Sequence, residues 1–145
     1  MHIITKQFAF EAAHRLLGHP KCGRLHGHSY RVEVELKCNT LHNAGPMSGM
    51  VRDYADLAPI KQFIDEKLDH RYLVSQELDT TVDKYAKIAL EEGHGVFLGI
   101  PRSTAECMAR YLYQEFKDMY PELTAVRVSE TANTWAEYRF ERGLC

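Results

Sequence analysis

The run Lys21 to Ser29, KCGRLHGHS, holds a thiol four residues before one imidazole and six before another. In an extended segment His26 and His28, at positions i and i+2, project to the same side, and Gly27 leaves the backbone between them uncrowded. Two imidazoles aimed at one point suit zinc. His14 ends an earlier strand-like stretch, and a hairpin between the two stretches would bring it in as a third nitrogen ligand. The fourth tetrahedral position would stay open, which is the pattern of catalytic zinc. Spacing alone leaves a metal site and three unconnected histidines evenly matched. Cys22 also has two readings, as the fourth ligand of a closed structural site or as a thiol kept off the metal. Pro20 and Gly23 bracket it in a turn-forming run, which favours a loop over the site. A nearby dication with Lys21 or Arg24 would favour the thiolate, the form that abstracts a proton near neutral pH. His2, His19, His42 and His94 have no partners at telling spacings and are expected to face solvent.

A second acid and base pair is Asp69 and His70 in LDHRYL, at the end of a helix-like stretch where the helix dipole favours imidazolium. Taken alone, the pair also reads as an ordinary helix C-terminus with a favourable cation.

These residues need elements to position them. Residues 2 to 12 and 29 to 39 read as strands, the second with Tyr30, Val32, Val34 and Leu36 alternating with Arg31, Glu33, Glu35 and Lys37. Asp53 or Asp56 can cap a helix with the stripe Leu57, Ile60, Phe63, Ile64 and Leu68, Pro59 falling in its first turn. A second helix starts at Ser103 or Thr104 and carries Met108, Leu112, Phe116 and Met119 until Pro121; Ser103 and Glu106 have the spacing of a capping box. Strands follow near 124 to 130 and 135 to 141. The stretch DTTVDKYAKIALEEG predicts a short amphipathic helix with Val82, Tyr85, Ala86 and Ala89 at helical spacing and Gly93 as its stop. The order predicts an α+β fold, an antiparallel four-stranded sheet with two main helices on one face. Such a sheet has edges to hide, which makes a homo-oligomer plausible.

The whole chain bounds the partners. Its 145 residues suffice for one domain with its own core, so a metal is not needed for folding. With 18 basic against 20 acidic residues, a nucleic-acid-coating surface is not expected and any anionic ligand needs a local basic cluster. No stretch has the length of a membrane span and the N-terminus lacks the apolar core of a secretion signal, so the cytoplasm is the expected address. In that reducing compartment Cys22, Cys38, Cys107 and Cys145 are expected as free thiols.

The ordered set FEAAHRL, KCGRLHGHSYRVEVEL, GMVRDYADL, LDHRYL, STAE and VSET resembles the 6-pyruvoyl-tetrahydropterin synthase superfamily, and within it the bacterial 6-carboxy-5,6,7,8-tetrahydropterin synthase branch of queuosine biosynthesis. The resemblance spans nearly the whole chain, 1–145. It implies the tunnelling fold, whose sheets assemble into a barrel, usually in a hexamer of two stacked trimers. It makes His14, His26 and His28 the ligands of Zn2+, Cys22 the catalytic base, and Asp69 with His70 the proton-relay pair. Glu130 in VSET matches the pterin-anchoring glutamate, and Thr104 and Glu106 match a second pterin-contacting motif. The implied activity converts 7,8-dihydroneopterin triphosphate to 6-carboxytetrahydropterin, acetaldehyde and triphosphate. No redox cofactor is needed, because side-chain oxidation balances ring reduction. Arg15, Lys21 and Arg24 are candidates for triphosphate contacts. The rival branch forms a 6-pyruvoyl product, and a non-catalytic zinc or pterin-binding module is the alternative of another class. Two segments depart from the family pattern: the longer run from about 74 to 100, which predicts an added helical segment, and Thr131 to Trp135, whose contacts are not carried over.

Overall fold

The computed structural model describes residues 1–76 and 83–140. Two long strands dominate it, β1 (His2–His14) and β2 (His26–Cys38), paired antiparallel from His2 opposite Cys38 to His14 opposite His26. The alternation read from the sequence is the reason: Phe8, Phe10, Ala12, Tyr30, Val32, Val34 and Leu36 are buried on one face, while the odd-numbered residues turn to the other. Asp53 caps a 3-10 turn over Tyr54–Leu57, its carboxylate accepting the Ala55 N–H, and α1 (Ala58–Lys67) continues from it with Pro59 in the first turn. Then come β3 (Arg71–Leu73), α2 (Lys84–Glu91), β4 (Val96–Phe97), α3 (Ala105–Phe116), β5 (Leu123–Thr131) and β6 (Thr134–Arg139).

The sheet has six strands in the order β4-β3-β1-β2-β5-β6, and it is mixed, not the four-stranded antiparallel sheet expected. β3 runs parallel to β1 and β4 parallel to β3. At three and two residues they are too short to carry a period-two signal. The α+β class and tunnelling fold stand. Leu57, Ile60, Ile64 and Leu68 around α1, with Met108, Leu112 and Phe116 of α3, join the inward residues of β1, β2 and β5 in one core. Burial of each such side chain contributes about 1.5–3 kcal/mol.

Several boundaries move. α3 ends at Phe116, leaving Met119 exposed. Its cap is Thr104, whose hydroxyl accepts the Cys107 N–H, whereas Ser103 is fully buried, so the expected capping box of Ser103 and Glu106 does not form. The added helix is shorter than expected and begins after Asp83, whose carboxylate accepts the Tyr85 and Ala86 N–H groups; Val82 lies outside the described residues. Cys22 and Cys107 are free thiols, but Cys38 is disulfide-bonded, against the expectation of four free thiols. That expectation rested on compartment, which says nothing of which cysteines the fold brings together.

The face of the sheet turned away from α1 and α3 carries a charge lattice. Arg139 donates to both Glu35 oxygens at 2.6 and 3.0 Å, and the Thr124 hydroxyl donates to Glu35 at 3.0 Å. Hydrogen bonding from Arg139, only partly offset by burial, holds the Glu35 carboxyl below its usual range. A folded-state value below the unfolded one stabilises the protein above that range, and the gain is lost as pH falls. Glu35→Gln is therefore expected to lower the urea midpoint at pH 7 by the equivalent of about 1–3 kcal/mol. Its gap from wild type should close below about pH 4; an equal gap at pH 7 and pH 3 would contradict the pairing.

Candidate active site

At one end of the core face the apolar alternation of β1 and β2 gives way to imidazoles. His14 lies opposite His26, Ala12 lies opposite His28, and all three rings turn to the side of Tyr30. Their candidate ligand atoms lie within 4.8 Å of one another, forming the one group among the described residues that could hold a metal ion. His14 is buried and donates from Nδ1 to the Ser103 carbonyl at 2.7 Å; His26 donates from Nδ1 to the Arg24 carbonyl at 2.6 Å. With both δ nitrogens engaged as donors, the Nε2 lone pairs of His14 and His26 face each other at 3.1 Å. The His28 Nε2 is buried with no hydrogen-bond partner. Two facing lone pairs beside a third imidazole nitrogen with no partner fit a cation, and carbonyl-oriented imidazoles are the usual supports of a metal site. Burial pushes His14 down to about 4 and lowers His28, so both are neutral at pH 7, the form that ligates.

The orienting carbonyl is itself held. Ser75, also buried, accepts the Ser103 N–H at its hydroxyl (3.0 Å), and the Ser103 hydroxyl donates to the Arg15 carbonyl at 3.4 Å. Neither serine role follows from spacing, because 28 residues separate them. If the cluster holds a divalent metal, Ser75→Ala is expected to weaken that binding about tenfold, measured by competition with a chromophoric chelator; an unchanged dissociation constant would remove Ser75 from the support.

Glu130 is on the same face, one ladder step beyond Val128 opposite Val32. Its oxygens lie 3.8 Å from His14 Nε2 and 4.0 Å from His28 Nε2. Burial raises its carboxyl above the usual range. Glu130 also lines a cleft of about 320 Å3 with Thr104, Glu106, Leu16 and Trp135. The structure thus brings the three anchoring candidates together, and it adds Trp135, 66% exposed, from the segment whose contacts were not carried over.

Cys22 sits in the loop between the two ligand strands. Leu16 N–H donates to the Cys22 carbonyl at 2.7 Å, and His19 Nδ1 accepts the Cys22 and Lys21 N–H groups at 2.9 and 3.3 Å. The turn needs Gly23, where a Cβ would come 2.5 Å from the His19 carbonyl oxygen. His19 is exposed as expected, but it pins the backbone of Cys22, a role its spacing did not announce. The thiol is not among the clustered donor atoms. Of the candidate cations, Lys21 and Arg24 are exposed, whereas Arg15 is ion-paired to buried Asp83 at 3.3 Å and lies over the Tyr85 ring. Asp83 also accepts the Tyr72 hydroxyl at 2.6 Å, so the added segment is tied to the residue following His14.

Asp69 and His70 follow α1 and meet β1. The Asp69 carboxylate accepts the Glu11 N–H at 2.9 Å and the His70 Nδ1–H at 2.8 Å, and the Glu11 N–H bond, with His70 adding to it, keeps the Asp69 carboxyl low. His70 takes a left-handed backbone, φ 56°, and its N–H donates to the Glu11 carbonyl. His70 also lines a cavity of about 520 Å3 with His28, Glu11 and Ser29. His70, though not Asp69, therefore lines a cavity to whose wall His28 also contributes, while the Glu130 cleft is a separate opening.

A model of the 6-pyruvoyl tetrahydropterin synthase family matches residues 3–141. A Haemophilus influenzae protein named 6-carboxy-5,6,7,8-tetrahydropterin synthase is 35% identical, the match covering 96% of this chain and 99% of that one. A Synechocystis protein of the same name is 34% identical, with 95% and 93% covered. Among solved structures, an uncharacterized protein from Wolinella succinogenes superposes with a TM-score of 0.74 at 25% identity, over 97% of this chain and 98% of that one. The 6-pyruvoyl tetrahydropterin synthase of Caenorhabditis elegans gives 0.63 at 26% over the same shares. The histidine cluster, the fold that carries it and the near full-length match agree: this chain belongs to the 6-pyruvoyl tetrahydropterin synthase family.

Proposed function

We propose that the chain is a lyase, a zinc-dependent 6-carboxy-5,6,7,8-tetrahydropterin synthase. It converts 7,8-dihydroneopterin triphosphate to 6-carboxytetrahydropterin with release of acetaldehyde and triphosphate, as a step in making queuosine and related 7-deazaguanines. The observation that carries the reading is the cluster of three imidazoles with converging nitrogens, in a chain 35% identical over nearly its whole length to a relative of that name. In this reading 1–145 is one domain, α2 belongs to an added segment, and the sheets of several copies close a barrel in a homohexamer of two trimers in the cytoplasm.

His14, His26 and His28 would hold the metal, which supplies Lewis acidity to the substrate's side-chain hydroxyls. Glu130 accepts two hydrogen bonds from the amino and ring N–H edge of the pterin and fixes its orientation, with Thr104 and Glu106 on the facing wall. Cys22, as thiolate, takes a proton from the side chain. The His70 Nε2 returns one, with the Asp69 carboxylate holding Nδ1–H and so fixing the tautomer. The second reading, a 6-pyruvoyl product, is favoured by the likeness to the Caenorhabditis elegans enzyme; a non-catalytic pterin or zinc module remains the reading of another class. Triphosphate release from dihydroneopterin triphosphate tests catalysis itself. The expected result is release that stops on zinc removal and returns on zinc addition. Zinc-loaded protein that binds the pterin without releasing triphosphate would be the non-catalytic module.

A further inference from the structure

One buried hydroxyl beside the imidazole cluster has no partner. Tyr30 is fully buried, and its hydroxyl oxygen makes no hydrogen bond among the described residues. Its ring meets the His14 and His28 rings edge-on, with centroids 5.9 and 5.4 Å apart, and stacks on Phe10 at 4.9 Å. Phe10 lies opposite Tyr30 across the β1–β2 ladder and shows that a ring without a hydroxyl packs on this face. A buried donor left unpaired costs stability, and native proteins keep few of them. Packing alone would be served at least as well by a phenylalanine there, so the hydroxyl has its use in a state with a ligand bound.

An acceptor in the same condition lies on the next strand. Arg31 is opposite Ser129 and Val32 opposite Val128, and this antiparallel register carried one residue further sets Tyr30 level with Glu130. Both are even-numbered positions on the core face, the face of His14, His26 and His28. Level side chains on neighbouring strands start about 4.5–5.5 Å apart at Cβ. The Glu130 carboxylate accepts no hydrogen bond among the described residues; the His14 and His28 Nε2 atoms beside it lie at 3.8 and 4.0 Å, beyond hydrogen-bonding distance. Glu130 is also the one charged group that acts on the Tyr30 hydroxyl, adding to burial in holding its proton. Tyr30 does not line the Glu130 cleft, so it reaches a ligand there only through the carboxylate.

We propose that the Tyr30 hydroxyl donates to the Glu130 carboxylate, directly or through one water, while Glu130 holds a pterin, and that Tyr30 is a positioning residue for that anchor. The proposal rests on the pterin reading of the Glu130 cleft. A hydrogen bond on one lone pair of the carboxylate leaves the others for the ring edge and fixes the plane in which they point. The test compares wild type, Tyr30→Phe, Glu130→Gln and the double variant, each zinc-loaded and titrated with phosphate-free 7,8-dihydroneopterin by equilibrium dialysis. Tyr30→Phe is expected to bind the pterin about tenfold more weakly. Its zinc affinity should stay within about twofold of wild type, and its urea midpoint, measured without pterin, should be no lower. In the Glu130→Gln background the same replacement should cost less than about threefold, because a neutral amide accepts a weaker bond than a carboxylate. Equal pterin affinity of wild type and Tyr30→Phe would overturn the proposal. So would full additivity of the two replacements, or a fall in urea midpoint that matches the loss of affinity, since either makes the hydroxyl a packing group. A wild type that binds no pterin would overturn the proposal and the pterin reading together. A wild type that binds the pterin and loses it on Tyr30 replacement, yet releases no triphosphate from 7,8-dihydroneopterin triphosphate, would sink the enzymatic reading and leave the positioning role standing.

Discussion

His14→Ala is expected to abolish both metal and turnover. His14 alone of the three imidazoles is fully buried, and its Nδ1–H bond to Ser103 aims Nε2 at the centre of the cluster. Its loss leaves two ligands, His26 and His28, both partly open to solvent. Zinc content should fall from about one per chain to below about a tenth, and triphosphate release by about a thousandfold or more. The cavity left behind would cost about 1–3 kcal/mol of stability, so the comparison needs His14→Gln as well, which fills most of the space but cannot present the same nitrogen. Both variants should fold, by circular dichroism, and both should lack zinc. A His14→Gln protein that retains one zinc per chain would contradict the assignment of the ligands.

Cys22→Ala should separate chemistry from metal binding. The thiol lies outside the clustered donors, on a loop fastened by Leu16 and His19 at the backbone of Cys22 itself. Removing it should leave zinc content and pterin affinity intact while kcat falls about 10²–10⁴-fold, the range for losing a general base. If Cys22→Ala instead lost its zinc, the thiol would be a fourth ligand and the site closed. Because the backbone contacts of the loop do not involve the thiol, a change in folding stability is not expected to blur the result.

Much of the positioning was legible in the residues because it follows from parity. The even-numbered positions of β1 and β2 run Phe8, Phe10, Ala12, His14 and His26, His28, Tyr30, Val32, and a hairpin puts them on one face with the imidazoles at one end. Glu130 shares that face because β5 alternates in the same way, yet its nearness to His14 and His28 depends on the pairing of β5 with β2, which no local pattern specifies. The supports of the site were hidden for the same reason. Ser75, Ser103 and Asp83 act through backbone atoms or through partners tens of residues away. Of the two starts open for α3, Ser103 or Thr104, the hydroxyl that caps the helix belongs to Thr104, although the spacing of Ser103 to Glu106 also satisfies the capping rule. β3 and β4 escaped notice because two or three residues cannot show a period.

The fate of the substrate's side-chain carbons tests the central claim most directly. Incubating the zinc-loaded protein with 7,8-dihydroneopterin triphosphate, trapping volatile aldehydes as hydrazones and identifying the pterin by mass spectrometry reads both halves of the reaction at once. Acetaldehyde and 6-carboxytetrahydropterin in equal amounts are the predicted products. A pterin that keeps all three side-chain carbons as a pyruvoyl group, with no acetaldehyde, would contradict the carboxy-forming assignment.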